Sequence, residues 1–101
     1  MAITSTVSAD GNQVTIYIQG RFDFSSHQEF RAAYEKLPKA PTHYRVDLQG
    51  ASYLDSSALG MLLLLRDFAG GDKSNIEIVN CSSDVKKILM ISNFEQLFTI
   101  H

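Results

Sequence analysis

The chain has a single cysteine, Cys81, so no disulfide can form within it and no thiol cluster is available to a metal. Its three histidines, His27, His43 and His101, lie far apart without an i, i+4 pair, and no metal site is expected. An excess of one charge is also missing. Nine Lys and Arg stand against eleven Asp and Glu, a net charge of -2. No basic cluster exceeds Lys86-Lys87, which disfavours nucleic acid and an anionic membrane as partners. Long hydrophobic runs are absent too. The longest, Ala58 to Leu65 with Gly60 interrupting it, is far too short to span a bilayer. The start, Met-Ala-Ile-Thr-Ser-Thr, lacks the features of a signal peptide, so a cytoplasmic location is expected. On that ground the glycosylation sequon Asn80-Cys81-Ser82 is taken as chance.

What is present is an ordinary globular composition, 45% hydrophobic and 20% charged over 101 residues. That length suits one domain, residues 1–101, with a shallow core and its chemistry on the surface. Val14, Ile16 and Ile18 alternate with polar residues from Gln13 to Gln19, the pattern of a half-buried strand. Gly11-Asn12 before it predicts a hairpin with residues 3–8. Ser26 and Glu29 form a capping-box pattern, followed by Phe30, Ala33, Tyr34 and Leu37 at helical spacing, and Pro38 ends that helix. Arg45 to Leu48 reads as a short strand closed by Gly50. A helix from about Ser56 to Ala69 stops at Gly70-Gly71. Ile76, Ile78 and Val79 mark a further strand, and Ser82-Ser83-Asp84 caps a helix carrying Val85, Ile88 and Leu89. The segment from Phe94 to Ile100 reads as a helical turn and an extended edge. Strand–helix–strand units imply parallel pairing, and the hairpin adds an antiparallel element. The expected fold is a mixed-sheet α/β.

The segment Asp55-Ser56-Ser57-Ala58-Leu59-Gly60 draws attention because its hydroxyls fall where a loop becomes a helix. Asp55 or Ser56 could cap that helix, and capping alone would explain the triplet. The helix itself argues for more. At 100° per residue, Ala58, Met61, Leu62, Leu64, Leu65 and Phe68 share the core side. Ser56, Leu59, Gly60, Leu63, Arg66 and Asp67 share the other, so two leucines lie beside the serine where solvent is expected. This suggests a docking patch with a hydroxyl at its edge. A phosphate on Ser56 would add about -1.5 to -2 charges. The helix N-terminus favours that charge, while Asp55 and an apolar partner oppose it.

These residues resemble the STAS-domain anti-sigma factor antagonists, whose hallmark is Asp-Ser-Ser/Thr-Gly-Leu-Gly at a helix start after a strand. The family phosphoacceptor falls on Ser56. Gly20-Arg21-Phe22-Asp23 stands where the family has Gly-Glu-Leu-Asp after its second strand. The match covers essentially the whole chain, with Ala58 replacing a glycine and Arg21 replacing an acid. The chain looks most like the stand-alone, HsbA-like members. The resemblance implies a STAS-like mixed β-sheet with helices packed mainly on one face. It also implies a partner switch. The unmodified protein would bind and sequester an anti-sigma factor, and phosphorylation of Ser56 would release it. The modifying partner would be a serine kinase of the histidine-kinase-like ATPase type, often the anti-sigma factor itself. A PP2C-type phosphatase would reverse the mark. The partner-binding residues implied are Asp23, Asp55, Ser56, Ser57, Leu59, Gly60 and Leu63, with no catalytic residue and no cofactor.

Two alternatives stay open: a STAS subunit of a transport or other regulatory complex that docks constitutively, and a small serine-dependent enzyme. The second lacks a Gly-x-Ser-x-Gly pattern or an evident base. Cys81 lies just before a helix start, but a structural cysteine is the commoner reading. Asp23 could cap the first helix or face the partner, and the two are compatible.

Overall fold

Alternation in the N-terminal third builds the first two strands, β1 (Ala2–Val7) and β2 (Gln13–Phe22), which pair antiparallel from Ala2↔Gln19 to Val7↔Val14. The computed structural model describes residues 2–37 and 40–101. After β2 come α1 (His27–Glu35), β3 (His43–Leu54), α2 (Ser56–Ala69), β4 (Ile76–Val79), α3 (Ser83–Ile91) and β5 (Thr99–Ile100). The strands lie in sequence order, β1-β2-β3-β4-β5, and every pair after the first is parallel.

That order decides where the helices go. Each parallel crossover is right-handed by strong steric preference. When every crossover also steps in the same direction, all three helices must land on one face. The buried residues agree. Val14, Ile16, Ile18 and Phe22 of β2, Tyr44, Val46 and Leu48 of β3, and Ile76 and Ile78 of β4 form the core with Phe30, Leu62, Leu65 and Leu89 from the helices. The intervening residues, Thr15, Tyr17, Arg45, Asp47, Glu77 and Thr99, face away from the helices. Parallel strands are usually covered on both sides and uniformly apolar. Here they alternate because one side is bare.

On that bare side Glu77 ties three elements together. Nε2 of His43 and Nε2 of His101 each meet one of its oxygens, the latter at 2.6 Å, and Arg45 stands 3.6 Å from the first oxygen. Hydrogen bonds from His43, and then from His101, hold the Glu77 carboxyl below the ordinary carboxylate value. With the bond from the His101 N–H to the Ile78 carbonyl, this pins the two-residue β5. No group of His, Cys, Asp or Glu suited to a metal occurs among the described residues. No helix among them is long and apolar enough to cross a membrane.

Three sequence expectations need correcting. β3 does not close at Gly50 but runs on to Leu54, with register shifts against β2 on either side of Gly20. A glycine within a strand commonly marks such an irregularity, and a Cβ at Gly50 would lie 2.7 Å from Cγ of Gln19. The Ser26–Glu29 capping box does not form. Ser26 is wholly buried and its hydroxyl caps nothing. Asp23 instead caps a short 3-10 turn, Phe24–Ser26, that leads into α1. Leu64 and Phe68, assigned to the core, are half exposed, and the ring of Phe68 leans on Tyr34 of α1 at 5.1 Å. The helix following Ser26 ends at Glu35, and Pro38, expected to stop it, lies outside the described residues.

Candidate functional site

β2 and β3 end in register, Phe22 beside Leu54, and each is followed by an aspartate. Asp23 accepts the Ser25 N–H at 3.0 Å together with the Ser25 hydroxyl. Asp55 accepts the Ala58 N–H at 2.9 Å and the Ser57 hydroxyl at 2.6 Å. Two short caps thus stand side by side at one end of the sheet. These bonds hold both carboxyls below the usual carboxylate range: first the Ser25 hydroxyl for Asp23, and first the Ser57 hydroxyl for Asp55. Against these bonds, burial and then the charge of Asp23 act to raise Asp55.

The cap separates two serines that look equivalent in sequence. Ser57 is half-buried and its hydroxyl is spent on Asp55. Ser56, the first residue of α2, is exposed, and its hydroxyl bonds no described residue. It is therefore the serine that another molecule can reach. Of the capping alternatives, Asp55 is the residue used.

Along α2, Ala58, Met61, Leu62 and Leu65 are buried. Leu63 is 39% exposed, on the outer side to which the helical wheel assigned it. Leu59 is only half open and leans on the margin of the core, which corrects its assignment to a fully outer face. Gly60 has nothing within 4 Å of where a Cβ would stand. The backbone is bare there, between Ser56 and Leu63. The far end of α2 is anchored by Gly70 at φ 120°, which a glycine tolerates, and by an Arg66–Asp72 ion pair at 2.8 Å.

Sequence reasoning missed two exposed aromatic residues close in sequence to the capping aspartates. Phe24, directly after the Asp23 cap, is 71% exposed, and its ring stacks on His27 at 5.6 Å. Tyr53 is exposed near the end of β3, with the Arg21 guanidinium 4.3 Å above its ring. Arg21 also stands 3.6 Å from Asp23. No local pattern marks these two residues, because their exposure depends on which distant elements leave them uncovered.

The strand order bears on what chemistry is possible. In open α/β sheets, small ligands settle where the strand order reverses. This order never reverses, and the sheet offers no such crevice. One shallow groove of about 240 Å³ runs along α1, lined by Gln28, Arg31, Ala32, Glu35 and Lys36. It includes none of the residues around Ser56.

A family model described as "Mlab, STAS domain" matches residues 5–99. The chain is 65% identical over 100 residues to a STAS-domain containing protein of Pseudomonas aeruginosa, with 99% of each covered. Among solved structures, the anti-sigma factor antagonist SpoIIAA in its unphosphorylated form superposes with a TM-score of 0.75 at 19% identity, covering 99% of this chain and 87% of that one. The phosphorylated form, from Bacillus, gives 0.74 at 19%, covering 99% and 91%. A sulfate transporter family protein from Wolinella succinogenes gives 0.75 at 12%, covering 90% and 73%. At these identities the structural likeness establishes a shared fold.

Proposed function

The chain belongs to the STAS domain family, and from that premise we propose that it is an anti-sigma factor antagonist working as a phosphorylation-controlled partner switch in the cytoplasm. The unmodified form sequesters an anti-sigma factor or related regulator through Asp23, Asp55, Ser56, Ser57, Leu59, Gly60 and Leu63, joined by Phe24 and Tyr53. A serine kinase of the histidine-kinase-like ATPase type modifies Ser56, and a PP2C-type phosphatase restores it. The protein is the substrate of this chemistry and not a catalyst. The observation that carries the reading is the division of labour between the serines. Ser57 is committed to the cap, while Ser56 is exposed beside an apolar surface. A phosphate there would meet the favourable end of the α2 dipole, but would also set two or so negative charges beside Asp55 and against the partner's apolar contact. The mark is tolerated by the free protein and opposed in the complex.

The test is capture from the cells that make the protein, with phosphopeptide mapping of the same material. Unmodified wild type should retain an anti-sigma factor or kinase, Ser56→Asp should lose it, and the phosphate should map to Ser56. Leu63→Glu should also lose the partner while its circular dichroism stays that of wild type. If Ser56→Asp and Ser56→Ala both bind like wild type, the switch reading fails. A second reading, constitutive docking as a subunit of a transport complex, draws on the fold shared with the sulfate transporter family protein. It predicts capture of transport components regardless of the residue at position 56.

A further inference from the structure

β1 is the outer strand of the sheet, and its ladder with β2 satisfies only one of its edges. The hydrogen bond from the Ser8 N–H to the Gln13 carbonyl shows which residues face inward. Backbone groups alternate along an antiparallel strand, so those of Ile3, Ser5 and Val7 point away from β2. Residues 4–7 are all exposed, so this edge is open among the described residues. Proteins normally blunt an open edge with charge, proline or a bulge. Ile3-Thr4-Ser5-Thr6-Val7 contains no charged residue and no proline, and its register with β2 is unbroken.

We propose that β1 pairs antiparallel with β1 of a second copy, about a two-fold axis through Ser5, joining the two sheets edge to edge. In that register Ser5 faces the other copy's Ser5, Thr4 faces its Thr6, and Ile3 faces its Val7. The outward N–H and C=O groups of Ile3, Ser5 and Val7 are then all matched across the axis. Val7, half exposed in the single copy, gains an apolar cross-strand neighbour. β-Branched pairs of this kind stabilise a ladder, and no like charges meet. α1 packs against β1, so the two copies of α1 lie on the same side of the joined sheet. Ile3 and Val7 are spaced equally on either side of Ser5, so pairing with a second copy sets an apolar pair on both flanks of the axis, which an unrelated extended segment does not supply. The contact is isologous and closed, so it ends at a dimer. It engages none of the residues assigned to partner docking.

Sedimentation equilibrium on wild type, Ser5→Lys, Ser5→Glu and an equimolar mixture of the two variants tests this. Wild type should pass to twice the monomer mass as concentration rises. Each variant alone sets like charges on the axis and should weaken the dimer by roughly fivefold or more. The mixture should recover the wild-type dimer, because Lys then faces Glu. Amide exchange on wild type provides a check that needs no variant: protection at Ile3, Ser5 and Val7 should rise with concentration. A wild type that stays monomeric, a dimer indifferent to Ser5→Lys, or exchange at those amides independent of concentration would each overturn the proposal.

Discussion

Asp55 and Ser56 are neighbours with opposite attachments to the fold. The Asp55 carboxylate holds the first turn of α2 through Ala58 and fixes the Ser57 hydroxyl. The Ser56 side chain holds nothing among the described residues. Asp55→Ala should therefore cost about 1 kcal/mol of stability in denaturant unfolding, the usual loss for an N-cap. Ser56→Ala should change stability by less than about 0.5 kcal/mol, as exposed substitutions do. If Ser56→Ala proved as destabilising as Asp55→Ala, its effect on a partner could not be read as recognition. The sequence left the cap between these two residues because both types cap well. The choice rests on where β3 ends, one residue before Asp55, and that depends on its pairing with β2.

At the scale of elements, α2 serves two surfaces at once. Its buried stripe of Ala58, Met61, Leu62 and Leu65 is narrower than the apolar sequence suggests, and Leu63, Leu64 and Phe68 are left partly in water. A wheel drawn from composition cannot divide a helix that is apolar nearly all round. The division came from neighbours: α1 shelters only part of Phe68, through Tyr34. Gly60 sharpens the point. It sits in mid-helix, where glycine costs up to about 1 kcal/mol relative to alanine, yet open space surrounds it. Gly60→Ala should raise the unfolding free energy by up to about that amount and weaken capture of the partner. A variant that was stabilised and still bound like wild type would remove Gly60 from the docking surface. The end of β3 shows the converse limit. Gly50 looked like a terminator because glycine usually is one, and only pairing with β2 carries the strand past it to Leu54.

At the scale of the whole molecule, the bare side of the sheet has its own fastening. Glu77 joins β4 to His43 at the start of β3 and to His101 after β5. Its carboxyl titrates below the ordinary 4.5 when folded, so the unfolded chain binds the proton more readily. The stability it contributes is complete above that value and is lost as pH falls through the folded pKa. Unfolding followed between about pH 6 and pH 3 should show a steeper loss in wild type than in Glu77→Gln. Equal slopes would mean that the carboxylate does not fasten the sheet. The three histidines were legible in sequence only as scattered residues. Parallel pairing of β3, β4 and β5 is what gathers two of them around one acid.

The sequence by itself determined the order of elements and the mixed α/β class. Local rules suffice for these: period-two alternation, capping residues and helix stops. The single covered face needed the strand order as well, because handedness places the helices only once the direction of each crossover is known. The sequence marked Ser56 through the resemblance of Asp55-Ser56-Ser57-Ala58-Leu59-Gly60 and Gly20-Arg21-Phe22-Asp23 to a known pattern. Tertiary structure alone decided that Ser57 is occupied and Ser56 is exposed, that Phe24 and Tyr53 are left in solvent, and that the edge of β1 is open among the described residues. Each of these depends on which distant strand or helix covers a residue, and burial of that kind is set by the packing of the whole chain.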